Sequence, residues 1–383
     1  MFFEEKVITG SPNEFMEVRH LKIQGSNFDI GKKLAEIAYN NHRALPYPAT
    51  TKYKYQLEYF KNNYPILLDR IQGATDYFSN INAEDNSYDF SSLIYSSGLP
   101  GCSVVFYPPT TTEHGSPVVS RNFDFTTGTI TGEIPADNEK PAFANPYILE
   151  LHPDEGYSSL CVSGYEMLSG VLDGINSEGL VVTLLADDDA ITHYPIEPTY
   201  QPQVGLNELQ ILRLLLDTCA NIEEAKKALH MNKHYYTLYP LHFLIADKHG
   251  NSFVWEQSHG RNKEFTFDGD KNHPQVVTNF PLYKYQSESQ FPDTDDRLSM
   301  YNRFCNIKEN IKRNKAPYSI NFIKNVNQQV SFHDHSHLRE SQCPTRTLWH
   351  SIYDIEDRTI LIDFYLGEEN ETIKRSGYIH LSL

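Results

Sequence analysis

Apolar positions change their spacing several times along the chain, and each change marks a change of element. Residues 12–22 read as a short strand. From residue 27 to about 41, Ile30, Leu34, Ile37 and Ala38 recur on one helical face, and from 53 to about 78 a longer Tyr-rich helix carries Leu57, Phe60, Ile66, Leu67 and Ile71. A polar stretch at 82–87 reads as an exposed segment. From Cys102 the spacing turns to that of strands: 102–107, 117–124, 147–151, 159–163, 168–175 and 179–185 are short, β-branched and separated by turn residues. Helical spacing returns with Leu209, Leu212, Leu216 and Cys219, and Asn221 with Glu224 three residues on resembles a capping box for a further short helix. Strands are expected at 241–246, 252–256 and 275–279, a helix at 295–312, and closing strands at 346–352, 359–365 and 377–381. Helices, sheet, helices and sheet within one unit predict an α+β protein in which two antiparallel sheets pack face to face between helical layers, a four-layer αββα sandwich.

Composition narrows the partners. The 383 residues fit one enzyme domain with a substantial core. A net charge of −17 argues against nucleic acid or an anionic membrane over the general surface, while leaving room for a local basic pocket. The start, Met1-Phe2-Phe3-Glu4-Glu5-Lys6, lacks a basic opening followed by an apolar run, and nowhere are there about 18 consecutive apolar residues, so the cytoplasm is the expected location. Five cysteines without spaced pairs read as free thiols.

One of those cysteines carries the candidate chemistry. Leu99-Pro100-Gly101-Cys102-Ser103-Val104-Val105-Phe106-Tyr107 places a cysteine directly after a glycine at the start of a strand. If the Gly101-Cys102 bond is cut, Cys102 holds both a thiol and an α-amine titrating near ~7.7 to 8.0, so one residue supplies nucleophile and base. Gly101, without a Cβ, suits the strained backbone that attack on the preceding carbonyl requires. The competing reading is a free cysteine in a buried strand. Ser120-Arg121-Asn122-Phe123-Asp124 ends the next strand of an expected hairpin with its turn near residues 112–116, which brings Arg121 and Asp124 beside the cysteine. There the arginine would lower the thiol pKa and the carboxylate orient the arginine or hold the α-ammonium; otherwise the two form a structural pair.

With these residues the chain resembles the cysteine N-terminal nucleophile (Ntn) hydrolases, above all the acyl-coenzyme A:6-aminopenicillanic acid acyltransferase group, with choloylglycine hydrolases and penicillin V acylase more distant. The resemblance covers most of the chain. Gly25-Ser26-Asn27-Phe28-Asp29-Ile30-Gly31, the Gly101-Cys102 junction, Arg121 with Asp124, Gly174-Ile175-Asn176-Ser177-Glu178-Gly179-Leu180, Val277-Thr278-Asn279-Phe280, and Asp334-His335 with Cys343 follow one another in the group's order. It implies the αββα Ntn hydrolase fold. It also implies a mainly helical prosegment, 1–101, released by autoproteolysis yet expected to stay bound, and a catalytic domain, 102–383. The activity implied is amidohydrolase or acyltransferase on a linear amide or acyl thioester through an acyl-Cys102 intermediate, with no cofactor and with homo-oligomerisation left open.

Further positions complete the expectation. Asn279 sits at an expected strand end just before Pro281, with its side-chain amide free to donate to an oxyanion; turn formation is the alternative. Arg297 is the first choice for the group's later active-site arginine and Arg303 the second, either being equally readable as a solvated helix charge. Ala186 stands where bile-salt hydrolases carry a second asparagine, which leaves a backbone N–H as the second oxyanion donor. Asn176-Ser177-Glu178-Gly179 reads as a hairpin turn. His333, His335 and His337 would share one strand face and offer a zinc site, but no ligand set at recognisable spacing completes it, so no metal is assigned. The second functional class in play is a non-catalytic or papain-like thiol protein that keeps residues 1–101, with Cys102 paired to a histidine.

Overall fold

Alternation along strand β5 (Gly101–Tyr107) sends its side chains into two different cores. Cys102, Val104 and Phe106 join the large cluster between the sheets, whereas Val105 and Tyr107 join a second cluster with Phe304, Ile307, Ile323 and Val326. A strand buried on both faces must be the middle of a sandwich. The computed structural model describes residues 1–81, 88–95, 101–129, 133–136, 140–188, 203–237, 240–258, 263–285, 287–333, 343–370 and 372–383.

Around β5 run β1 (Phe2–Gly10), β2 (Glu17–Gly25), α1 (Asn27–His42), β3 (Tyr47–Pro48), α2 (Tyr53–Asn63), α3 (Pro65–Ile81) and β4 (Tyr88–Asp89) before it. After it come β6 (Val118–Thr126), β7 (Tyr147–Pro153), β8 (Ser159–Ser163), β9 (Asp173–Asn176), β10 (Leu180–Ala186), α4 (Glu208–Thr218) and α5 (Ile222–Met231). The last part holds β11 (Leu241–Asp247), β12 (Ser252–Ser258), β13 (Lys263–Asp268), β14 (Gln275–Val277), α6 (Met300–Arg313), α7 (Ile320–Gln328), β15 (Thr345–Asp354), β16 (Thr359–Glu369), β17 (Thr372–Arg375) and β18 (Ile379–Ser382).

Among the described residues, one sheet has nine strands in the order β1-β2-β7-β8-β9-β10-β11-β12-β13. The other has seven, β14-β5-β6-β15-β16 with β17 and β18 both on β16. The sheets meet where β5 faces β10; α4 and α5 pack on the nine-stranded sheet, and α6 and α7 on the seven-stranded one. This is the expected αββα sandwich.

The N-terminal third holds the expected helices and more strand than expected. In place of one strand over 12–22 there are two nine-residue strands, and β2 pairs in parallel with β7, Arg19 opposite Tyr147. β1 is an edge strand exposed along much of its length, so its sequence carries no alternation to read. The long helix is split at Tyr64-Pro65, because proline lacks the N–H that would continue α2 and suits the first position of α3. The helix expected from 295 begins at Met300, capped by the Ser299 hydroxyl, which accepts from the Asn302 N–H. β9 is shorter than expected, because the Glu166 carboxylate accepts the N–H groups of Leu93, Leu168 and Ser169 and holds that stretch as a loop. The stretches 82–87, 99–100 and 334–337 lie outside the described residues. No helix among the described residues is long and apolar enough to cross a membrane.

Buried polar ties join residues 1–81 to the rest. Arg70 donates to Asp217 Oδ2 at 2.7 Å and to Asn27 Oδ1 at 2.9 Å, and Tyr64 donates to the same Asp217 oxygen at 2.5 Å. Glu150 on β7 meets His20 at 2.8 Å and Lys22 at 2.5 Å, both on β2. Burial would raise the Glu150 pKa, yet His20, Lys22 and His152 outweigh it and hold the carboxyl down to about 2.

Gly31 and Gly73 let α1 and α3 cross in backbone contact. A Cβ on Gly31 would stand 2.0 Å from the Arg70 carbonyl oxygen, and one on Gly73 2.0 Å from the Phe28 oxygen. Gly31→Ala should therefore destabilise the fold by about 1 to 3 kcal/mol or more, the usual cost of overpacking, seen as a lower midpoint in thermal unfolding. An unchanged midpoint would show that the helices can part without loss.

Candidate active site

The β5–β6 hairpin forms as the sequence implies. Gly101 lies opposite Asp124, Cys102 opposite Phe123 and Val104 opposite Arg121, so Arg121 sits diagonally from the cysteine on the face between the sheets. Arg121 Nη2 donates to Cys102 Sγ at 3.2 Å and to the Leu184 carbonyl at 2.9 Å. The guanidinium also lies over the Phe123 ring, 4.9 Å from its centroid.

A fully buried guanidinium needs a counter-charge. It is not Asp124, as the sequence suggested, but Asp173 on the opposite sheet, whose Oδ2 is 3.1 Å from Arg121 Nη1 and also accepts the Ser351 hydroxyl at 2.8 Å. Sequence reasoning missed Asp173. The only local hint was its place just before the Gly174 to Leu180 motif.

Asp124 pairs elsewhere. Its Oδ1 accepts the Thr347 hydroxyl at 2.6 Å and its Oδ2 lies 3.4 Å from Arg303 Nη1. Burial pushes this carboxyl up to about 6, against the pull of Arg303, Thr347 and Arg121.

Arg303, the second choice, takes the place expected of Arg297. It is buried on α6, where Nε donates to the Leu298 carbonyl at 3.0 Å, Nη1 to the Cys102 carbonyl at 2.8 Å and Nη2 to Asn279 Oδ1 at 2.7 Å. Arg297 lies in the exposed stretch ahead of the helix. The reason is helix phase: α6 starts at Met300, and Arg303 shares its inward face with Phe304 and Ile307.

Asn279 is fully buried beside the start of β5, because Val277 and Val276 pair with Val104 and Val105. Its Oδ1 accepts the Cys102 N–H at 2.8 Å, and its Nδ2 donates to the Ala186 carbonyl at 2.8 Å. Two donors on one side and a carbonyl on the other fix which way the amide points. The expected free donor is therefore engaged, and it is the acceptor end of Asn279 that meets the cysteine.

Gly101 also differs from expectation. It is in regular strand register opposite Asp124, and a Cβ there would make ordinary contacts, 3.4 Å from the Asp124 oxygen, so its place in the strand does not itself demand glycine. Asn176 acts as a turn residue: its Oδ1 accepts the N–H groups of Glu178 and Leu180, and Nδ2 donates to Leu216 and Cys219 at the end of α4. His333 is exposed and its neighbours His335 and His337 are not described; among the described residues no group of three potential ligands could hold a metal.

The outcome is a thiol held by one guanidinium, with its own N–H on an amide oxygen and its own C=O on a second guanidinium. Burial pushes the Cys102 thiol up to about 12, more than Arg121 and Arg303 draw it down.

Residues 110–371 match the model of the acyl-coenzyme A:6-aminopenicillanic acid acyl-transferase family. The chain belongs to that family. The matched span contains Arg121, Asp124, Asn279 and Arg303 and starts just beyond Cys102. The chain is an enzyme of the amide hydrolase or acyltransferase class. Among solved structures it is similar to a mutant form of conjugated bile acid hydrolase from Clostridium perfringens, at 18% identity over 72% of this chain and 92% of that one, with a TM-score of 0.49. It is also similar to penicillin V acylase from Agrobacterium tumefaciens, at 19% identity over 69% and 82% of the two chains, with a TM-score of 0.45. No curated protein sequence matches it.

The placement of Arg303 is testable. Its planar fork serves four acceptors at once, the Leu298 and Cys102 carbonyls, Asn279 Oδ1 and Asp124 Oδ2, in a spread that the compact ammonium of a lysine does not reproduce. Arg303→Lys should keep the fold, by circular dichroism, and lower acyl-transfer turnover on the order of a hundredfold, whereas Arg297→Ala should stay within about twofold. The reverse ranking would return the role to Arg297.

Proposed function

We propose that this enzyme is an autoprocessed cysteine amidohydrolase or acyltransferase in which Cys102 is first the agent of its own release and then the acyl carrier. The observation that supports this most is the threefold hold on one residue: Sγ on Arg121, N–H on Asn279 and C=O on Arg303.

In the first reaction the Cys102 sulfur attacks the Gly101 carbonyl carbon. The Gly101-Cys102 C–N bond breaks, the nitrogen takes up a proton to become the α-amine, and a thioester joins Gly101 to Sγ. Water then hydrolyses that thioester, leaving a Gly101 carboxylate and a free thiol. Asn279 Oδ1, which accepts the Cys102 N–H in the intact chain, becomes the acceptor for the new amine.

In the second reaction the amine takes the thiol proton as sulfur attacks a linear amide or acyl thioester. Amine or thiol leaves, the acyl group rests on Cys102, and water or an acceptor amine removes it. Arg121 steadies the developing thiolate, and Arg303 steadies Asn279 and the Cys102 carbonyl. Asp124 anchors Arg303, and Asn279 acts chiefly as an anchor of the amine. Residues 1–101 stay bound after cleavage through the β2–β7 pairing and the buried ties of Arg70 and Glu150. The five free thiols fit a reducing cytoplasm. A papain-like reading gains nothing from the geometry, since the group donating to the sulfur is an arginine.

Intact mass decides the first reaction. The purified chain should give two fragments, one ending at Gly101 and one starting at Cys102, and Cys102→Ala a single full-length chain. Cleavage of the alanine variant at the same bond without added protease would sink the mechanism. Turnover of N-acyl amides or acyl thioesters by the intact chain would sink the requirement for processing.

A further inference from the structure

Asn279 lies at the start of the long connection between β14 and α6, and the first residues of that connection are held from the opposite sheet. His242 on β11 and Glu256 on β12 are direct cross-strand neighbours, and their side chains are 1% and 2% exposed. His242 Nε2 is 2.7 Å from the Thr278 carbonyl oxygen. Glu256 Oε1 accepts the Leu282 N–H at 2.8 Å, and Oε2 accepts the Tyr283 N–H at 3.0 Å. One side chain therefore grips the residue before Asn279, and the other grips the two N–H groups that follow Pro281.

The protonation of His242 follows from its partners. A carbonyl oxygen only accepts, so Nε2 carries a hydrogen. Nδ1 lies 3.4 Å from Glu256 Oε1, and it makes no hydrogen bond to any other described residue. A neutral ring would turn its Nδ1 lone pair toward that carboxylate, so Nδ1 carries a hydrogen too and the ring is an imidazolium.

We propose that His242 and Glu256 are positioning residues: a buried imidazolium–carboxylate pair that clamps the 278–283 loop and so sets where Asn279 meets the Cys102 nitrogen. The proposal rests on the reading of Asn279 as the anchor of that nitrogen.

The charged groups facing His242 are Glu256 from β12 and Asp187 from the end of β10, with Asp188 beyond it and Arg303 acting on Asp188 from α6. Burial alone would lower the His242 pKa, and Glu256, Asp187 and the Thr278 carbonyl carry it above the ordinary histidine value. The sign is then fixed. A group whose pKa is raised in the folded chain contributes below the ordinary value of ~6.5 and stops contributing as pH rises through the folded pKa. The clamp should loosen on the alkaline side.

Two measurements test this in the full-length Cys102→Ala chain, which needs no cleavage. His242 is titrated through its ring carbon signals by NMR, and hydrogen exchange gives the protection factor of the residue-102 amide N–H that Asn279 holds. His242 should titrate above ~6.5, and the protection factor should fall about tenfold or more across the same pH interval. Glu256→Gln in that background should move both transitions together to lower pH. Titration of His242 at or below ~6.5, or protection that ignores its titration, would overturn the proposal. If Glu256→Gln does not fold, coincidence of the two transitions in the Cys102→Ala chain alone decides. In the wild-type chain the self-cleavage rate should fall over the same interval. If the wild-type chain never cleaves, the autoprocessing scheme fails, while the clamp still stands or falls on the protection measurement.

Discussion

A guanidinium buried without a counter-charge costs several kcal/mol, and this fold buries two of them around one sulfur atom. Arg121 and Arg303 both lie within reach of Cys102, one through the thiol and the other through the main-chain carbonyl. Their counter-ions come from different places. Asp173 belongs to the nine-stranded sheet and meets Arg121 across the inter-sheet core, while Asp124 belongs to the same hairpin as Cys102 and meets Arg303 from α6. Neither pair can exist in a single sheet or a single helical layer. The sandwich is the smallest arrangement that gives both arginines a partner while leaving the cysteine dry.

The N-terminal segment takes part in that arrangement. β2 extends the nine-stranded sheet in parallel register with β7, and Arg70, with no exposed surface, shares Asp217 with Tyr64 and Arg213. Separating residues 1–81 from the rest would leave Asp217 as a buried carboxylate with fewer donors and would strip β7 of a neighbour. These ties of β2, Arg70 and Tyr64 join residues before the Gly101-Cys102 bond to residues after it, and none involves Gly101 or Cys102 itself. A cut there, as proposed, would change the chemistry at one atom pair and leave these contacts in place, which is the condition for such a segment to stay bound.

What could be read from the chain follows the range of the interaction concerned. The β5–β6 hairpin was legible because its alternation and its turn are local, and Arg121 beside Cys102 follows from the hairpin alone. The choice between Arg297 and Arg303 was not legible, because it depends on helix phase, and the helix start is set by Ser299, whose capping bond is worth about 1 kcal/mol. Asp173 was hidden for another reason: its partner lies across the gap between two sheets, and no periodicity within either strand records that meeting. β1 lacks a buried face, so nothing in its pattern marks it. Asn279 was expected at a strand end as an oxyanion donor; that it lies beside the cysteine, and which end of its amide faces it, depends on Ala186, Cys102 and Arg303 together.

The thiol pKa of the uncut chain bears on the order of events. Burial pushes the Cys102 thiol up to about 12, so the sulfur is held protonated at neutral pH even with a guanidinium 3.2 Å away. Desolvation therefore wins over charge at this position. An amide nitrogen cannot relieve that, since it neither takes up a proton nor bears charge. An amine in the same place can do both: it titrates near ~7.7 to 8.0 and would sit on the Asn279 oxygen that the amide N–H occupies now. Cleavage would then convert a poorly ionised cysteine into one with a base on its own α-carbon, without moving either arginine. On the proposed scheme the second reaction would be the faster one, because both would use the same sulfur in the same pocket and only the nitrogen would have changed.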